Sequence, residues 1–321
     1  MSVAARLIVA GALFAVSGLA SAQAYPARGI RMVIGFPPGG ISDTLSRVTA
    51  QHLGAAWGQQ VIVDNRPGAG TTLASDLVAK SAPDGYTLYF ADVTTHAINA
   101  TLYGKLPYDT IKDFTQVAMV AQSPLILVVH PSLPVRSVKD LIALAKAHPG
   151  AINYASSGNG TILHLSGETL KTLAGVDMVH IPYKGSAPAV AAVMGGEASI
   201  VFSTTPAALP HVRAGKLRAI AVSSARRSPV VPDVPAMGET LKGFDIILYS
   251  GIMGPAGMPR ETVSKIHAEI TRMLASPKVK EVWASVGADP VAMSPEQFTE
   301  HLKGDVAKLG RMVKAAGAKV D

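Results

Sequence analysis

Ile30-Arg31-Met32-Val33-Ile34-Gly35-Phe36-Pro37-Pro38-Gly39-Gly40-Ile41-Ser42-Asp43 passes from one kind of structure to another within a few residues. Ile30–Phe36 is rich in β-branched and apolar residues and reads as a buried strand. Pro37-Pro38-Gly39-Gly40 cannot extend it, because Pro lacks an N–H and Gly favours turns. Ile41, Leu45, Val48 and His52 then recur at spacings of four and three, which predicts a helix. A strand that hands directly to a helix through a tight elbow is the repeating unit of an α/β fold.

Outward from this stretch the pattern repeats. Val61–Asp64 is a second strand, closed by Asn65-Arg66-Pro67-Gly68, and a helix follows to about Ser81. Pro83-Asp84-Gly85 is a turn before a third strand at Tyr86–Phe90. Further strands are expected at Val117–Val120, Leu125–His130, Ile152–Ala155, Val179–Pro182, Ser199–Ser203 and Leu217–Val222, with helices between several of them. Ser137 with Asp140 caps one such helix, which ends at His148-Pro149-Gly150. Ser156-Ser157-Gly158-Asn159-Gly160-Thr161 forms a second glycine-rich elbow between a strand and a helix. Strands alternating with helices predict parallel sheets. The last third differs. Phe244–Met253 reads as one or two strands, a helix follows Pro259, and Ser294-Pro295-Glu296-Gln297 is a capping box opening a final helix.

The chain has 321 residues, 48% hydrophobic and 16% charged, which excludes intrinsic disorder and fits two domains. It contains no Cys. Disulfides, thiol catalysis, thiolate metal sites and a lipoprotein anchor are therefore excluded. Residues 1–24 read as a secretory signal peptide: Arg6, an uncharged Leu7–Leu19 run, then Ala20-Ser21-Ala22. That run is shorter than the roughly 18 residues a membrane span needs. The net charge of +7 becomes +6 without Arg6 (7 − 1). The basic residues are dispersed, so no nucleic-acid surface is expected. A diffuse positive field suits small anions.

Both elbows open helices, where bared N–H groups and the helix dipole favour an anion. Ser42, Ser157 and Thr161 add hydroxyls. The alternative is a pair of ordinary capped loops, with Asp43 a helix-start carboxylate and His164 a packing residue. Nucleotides are disfavoured at both. Ile41 stands where a P-loop needs Lys, and Leu163 stands where a dinucleotide fingerprint needs its third Gly. A carboxylate suits such neutral donors better. The G-x-S-x-G and H-E-x-x-H motifs are absent, as is any calcium loop, so neither a metal nor another cofactor is expected and the protein is not expected to be an enzyme.

Several segments together resemble the Bug/TctC family, the extracytoplasmic solute receptors of tripartite tricarboxylate transporters. They include Phe36-Pro37-Pro38-Gly39-Gly40 with Asp43 and Arg47, Asp64–Gly70 (DNRPGAG), Pro83–Leu88 (PDGYTL), Leu106-Pro107-Tyr108-Asp109, Tyr154–Thr161 (YASSGNGT) with His164-Leu165, His180–Gly185 (HIPYKG), Ala214–Ala219 (AGKLRA), Pro232–Pro235 (PDVP) and Gly254-Pro255-Ala256-Gly257. The resemblance implies an α/β, two-lobed, periplasmic-binding-protein-like fold with a ligand cleft between the lobes. Lobe one would hold residues 25–124 plus 223–321, and lobe two residues 125–222. A ligand carboxylate would lie between Phe36, Gly39, Gly40, Ile41, Ser42 and Asp43 on one side and Ser156, Ser157, Gly158, Asn159, Gly160 and Thr161 on the other. Thr94, Thr95 and His96 would form one rim, and Ser203 and Thr204 the other. The implied protein is a periplasmic monomer that takes a dicarboxylate, aromatic acid or amino acid and passes it to membrane transporter subunits. A ligand-presenting sensor and a secreted enzyme on a similar fold are the alternatives.

Overall fold

A computed structural model describes residues 25–315, 317 and 318; the expected signal peptide lies outside the described residues. The chain opens with β1 (Ile30–Ile34), α1 (Ile41–Trp57), β2 (Val61–Asn65), α2 (Thr72–Ala79), β3 (Thr87–Asp92) and α3 (Val93–Leu102). It continues with β4 (Phe114–Pro124), β5 (Ile126–Val129), α4 (Val138–Ala147), β6 (Asn153–Ser156), α5 (Ile162–Ala174), β7 (Val179–Pro182), α6 (Ser186–Met194), β8 (Ile200–Ser203), α7 (Thr205–Arg213) and β9 (Arg218–Val222). It closes with α8 (Met237–Thr240), β10 (Ile247–Pro255), α9 (Arg260–Ala275), α10 (Pro277–Ser285), β11 (Asp289–Pro290) and α11 (Pro295–Ala315).

These strands form two sheets, in the orders β11-β4-β10-β3-β1-β2 and β7-β6-β8-β5-β9. Each contains a parallel trio whose middle strand feeds a glycine-rich elbow. In sheet one β1 pairs with β2 and β3, and in sheet two β6 pairs with β7 and β8. The helices after β1 and β6 therefore start at the same kind of edge in both sheets. Parallel strands expose their carboxyl ends there, which is where open α/β sheets place ligands.

The sheets are mixed rather than wholly parallel. β10 runs antiparallel to both β3 and β4, and β5 runs antiparallel to both β8 and β9. The reason lies in the crossings. Only Leu125 separates β4 from β5, so one nearly continuous ribbon leaves sheet one and enters sheet two. β9 and β10 return beside it, with Ile126 facing Val222 in one sheet and Pro124 facing Ile247 in the other. Buried Ser223 ties the two crossings together. Its N–H donates to Leu125 O, its Oγ accepts from Leu125 N–H, and it donates to Ile246 O at 2.6 Å. The stretch between β9 and β10 stays with sheet two: Ala236 bridges Val222, and the Phe244 ring stacks on Phe202.

The apolar faces meet as the periodicity dictates. Ile41, Leu45 and Leu53 of α1 are buried, as are Phe298, Leu302, Leu309 and Val313 of α11. Each such side chain contributes about 1.5–3 kcal/mol when fully buried. Among the described residues no helix is long and apolar enough to cross a membrane.

Candidate ligand-binding site

Five helix N-termini converge on one cavity between the sheets. Gly40, Ile41 and Ser42 bring the start of α1, Asp92 the start of α3, and Leu163 the start of α5. Gly185, Ser186 and Ala187 bring α6, and Thr204 brings α7. Each N-terminus carries a partial positive charge equivalent to roughly half an elementary charge. Among the described residues no Lys, Arg or His lines this cavity, and Asp92 is its only ionisable side chain. Its empty space is about 380 Å³, of which about 20 Å³ can take the centre of a water molecule. The loops thus approach closely around it.

Elbow one is held from behind and left open in front. The Asp43 carboxylate turns away from the cavity. It pairs with Arg47 at 2.8 Å and accepts from Asn65 Nδ2 at 3.1 Å and from the Gly39 N–H at 3.2 Å. Burial works against its charge, but the hydrogen bonds from Arg47, Asn65 and Gly39 hold its pKa below the usual carboxylate value. Asn65 Nδ2 also donates to Phe36 O at 2.9 Å, fixing the other side of the loop. Gly40 is the N-cap of α1 and supplies no side-chain cap. Among the described residues the N–H groups of Gly40, Ile41, Ser42 and Asp43 have no acceptor.

Elbow two is more nearly self-satisfied. Ser156 Oγ accepts from the Gly158 N–H at 3.1 Å and meets His180 Nε2 at 2.7 Å. The Gly160 N–H donates to His164 Nδ1, and Thr161 Oγ1 caps α5 by accepting from the His164 N–H. The Ile162 N–H donates across to Thr95 Oγ1 on the other sheet at 3.2 Å. Gly160 has φ +80°, and a Cβ there would lie 2.7 Å from Leu102 Cδ2, so only Gly permits this approach. What elbow two leaves over faces inward. Ser157 Oγ is buried without a partner, and so is Thr204 Oγ1 at the start of α7. Ser157 is 7% exposed and Thr204 5%, and both line the cavity. A buried hydroxyl without a partner is unfavourable, so both are positioned to bind a ligand or ordered water.

The model of the tripartite tricarboxylate transporter family receptor, TctC, matches residues 45–318. The chain belongs to this receptor family. Protein BugT of Bordetella pertussis is 37% identical to the receptor over the whole of both chains. Rpa4515 of R. palustris, solved with adipate, is 34% identical, covers 92% of this chain and all of its own, and superposes with a TM-score of 0.89. MatC from Rhodopseudomonas palustris, solved with bound malate, is 30% identical, with 90% of this chain and all of its own covered and a TM-score of 0.85. The family is one of solute-binding receptors, and the fold is the two-lobed one of periplasmic binding proteins.

The receptor brings only part of the sequence-derived site to the inner cavity. Phe36, Gly40, Ile41, Ser42, Ser157 and Thr204 line it. Gly158 and Asn159 line a wider mouth, with about 1400 Å³ of empty space, that shares Phe36, Pro37, Ser157 and Gly185 with it. Gly39, Asp43, Ser156, Gly160 and Thr161 shape the elbows from outside the cavity lining. Ser203 is buried and donates to Thr204 O. Thr94 faces the crossing strands, donating to Ile247 O and accepting from the Tyr249 N–H. Thr95 is fully buried between Asp92 and Ile162. His96 lies in the core, bonded to Thr110 O and edge-on to Phe114, and burial pushes its pKa down to about 4.

Sequence reasoning passed over Asp92, Ser186 and Leu248, which line the cavity. Asp92 carried a readable signal, an acidic residue between a strand and a helix start. Ser186 and Leu248 carried none, because only the strand order brings them there.

Proposed function

We propose that this receptor is exported to the periplasm, captures a small organic carboxylate between its two elbows, and delivers it to membrane-embedded transporter subunits without making or breaking a bond. One observation carries the reading: the unpartnered, buried hydroxyls of Ser157 and Thr204 face a cavity ringed by helix N-termini. Backbone N–H groups at α1 and these hydroxyls supply neutral donors for a carboxylate. The adipate and malate held by the two R. palustris relatives support the same chemistry. Residues 1–24 are assigned as the export signal. One lobe is built on sheet one and the other on sheet two; the second is extended from its expected end at residue 222 to 246, on the contacts of Ala236 with Val222 and of Phe244 with Phe202. Hinge motion at the paired crossings opens and closes the cleft.

A thermal-shift screen of the mature chain against a carboxylate panel tests this. A ligand at 100 times its Kd stabilises by about 2.7 kcal/mol. At least one carboxylate should raise the melting temperature, and Ser157→Ala combined with Thr204→Val should abolish the shift. A panel with no stabilising member counts against the proposal.

A further inference from the structure

We propose that Asp92 sets the ligand class, so that the receptor selects a carboxylate that also carries a protonated amine, with the ammonium received by Asp92. This rests on the carboxylate-receptor reading above and narrows it.

The observation is a misfit of charge. Asp92 is 3% exposed and lines the inner cavity. Its Oδ1 accepts from the Thr95 N–H and its Oδ2 from Thr95 Oγ1, both at 2.9 Å. An ionised carboxylate offers about four acceptor positions, so lone pairs remain. No cation answers the charge: among the described residues every salt bridge joins other groups, and only Thr94 and Thr95 hydrogen-bond to it. A buried charge with incomplete compensation is strongly unfavourable. Burial accordingly pushes its pKa up to about 6.

Helix capping explains an oxygen at this position, and the dipole of α3 favours its charge, but a partial charge of roughly half an elementary charge does not neutralise it. α4 starts on Ser137 and α5 on Thr161, each with a hydroxyl cap. The internal comparison is closer still. β3 leads into α3 as β8 leads into α7, and each strand flanks the central strand of its parallel trio. Asp92 and Thr204 are therefore counterparts that line the same cavity. Sheet two uses a neutral residue there, and sheet one a carboxylate.

The charge pattern of the cavity is thus divided. The ends of α1, α5, α6 and α7 present donors and positive dipoles, while α3 presents an anion. A ligand with one carboxylate and one ammonium matches both parts. A dicarboxylate places its second anion against Asp92, and like charges in a dry site repel strongly. An uncharged tail leaves Asp92 uncompensated.

Isothermal titration with matched ligands reads this directly. The probes are propionate, succinate, β-alanine and L-alanine, then butyrate, glutarate and 4-aminobutyrate, with L-aspartate and L-glutamate. At least one amine-bearing acid should bind tenfold or more tightly than the dicarboxylate and the plain acid of equal length. Asp92→Asn keeps an oxygen for the Thr95 N–H and should erase that preference. Asp92→Ser is the second variant should the first fail to fold. A wild-type protein that takes succinate or glutarate as tightly as the amino acids overturns the inference and leaves the receptor reading intact. An amine preference that survives in the folded variants also overturns it. If no carboxylate binds at all, the receptor reading itself fails and this inference with it.

Discussion

Thr95 Oγ1 accepts the backbone N–H of Ile162 at 3.2 Å, joining the first turn of α3 on sheet one to the first turn of α5 on sheet two. The same hydroxyl donates to Asp92 Oδ2. One buried side chain thus links the cavity wall, the second elbow and the opposite lobe. Thr95→Val keeps the shape and removes both bonds. It leaves the Ile162 N–H unsatisfied whenever the lobes meet, at a cost of about 1–3 kcal/mol. The expected result is a Kd raised about tenfold by calorimetry and a more open particle by small-angle scattering. Unchanged affinity would show that this bond plays no part in closure.

Asp43 acts as a clamp behind elbow one. Asp43→Ala removes the acceptor for Arg47, Asn65 and the Gly39 N–H together. It should lower stability by about 2 kcal/mol and weaken ligand binding through a looser loop. Arg47→Ala should do less, because the Arg47 side chain is 53% exposed and the bonds from Asn65 and Gly39 remain. Urea midpoints of the two variants compare the effects directly. Equal losses would mean that the ion pair, and not the hydrogen-bonded loop, carries the clamp.

Gly160 meets Leu102 across the lobes, and its φ of +80° already disfavours any other residue. Gly160→Val should prevent elbow two from seating and so eliminate ligand-induced stabilisation. Gly160→Ala with Leu102→Ala makes room for the new Cβ and should recover part of it. No recovery in the double variant would assign the Gly requirement to backbone strain and the close approach of Asn99 and Tyr103 rather than to Leu102.

Local pattern made the two elbows legible, because strand, Gly and helix follow one another within a few residues. The rims were legible only in part: Thr204 lines the cavity as expected, but on α3 the expectation fell on Thr94, Thr95 and His96 and passed over Asp92. Helix residues turn by about 100° per step, so Thr94 points to the crossing strands, Thr95 to elbow two and His96 into the core. Contiguity in sequence is not a shared face once a helix begins. The antiparallel strands were hidden for a different reason. β10 has the same β-branched and apolar character as a parallel strand, and only the return of the chain from sheet two reverses it.

Acid should destabilise the support of elbow two. His180 stacks on His164, with ring centroids 4.1 Å apart, and on Tyr154, and it meets Ser156 Oγ. Burial first, then His164 and Lys171, push His180 down to about 3, and burial lowers His164 as well. Both rings are neutral in the folded state at pH 7. An unfolded His titrates near 6.5, so between about 6.5 and 3 the unfolded chain binds more protons. The contribution of His180 is complete above that window and declines as pH falls through it. His180→Phe keeps a ring but cannot titrate. Its stability should depend less steeply on pH from 7 to 4.5 than that of wild type, by denaturant midpoints. Parallel profiles would contradict the assignment.

Asp92 should act with the opposite sign. Its folded pKa is raised to about 6 by burial, despite the opposing hydrogen bonds from Thr95 and Thr94. An unfolded Asp titrates near 3.9, so between about 3.9 and 6 the folded chain holds the extra proton. Asp92 therefore favours the ligand-free fold below the lower value, and that contribution is lost as pH rises through the upper one. Each pKa unit corresponds to about 1.4 kcal/mol. Asp92→Asn removes the titration while keeping an oxygen that can cap α3. The ligand-free variant should be more stable than wild type above pH 6, and the difference should shrink as pH falls towards 4. An ammonium ligand should reverse the order at neutral pH, since only wild type gains the ion pair. Melting temperatures of both proteins at pH 4, 5, 6 and 7.5, with and without the best amine-bearing ligand, measure both effects. A difference independent of pH would show that burial does not raise the Asp92 pKa in the folded protein.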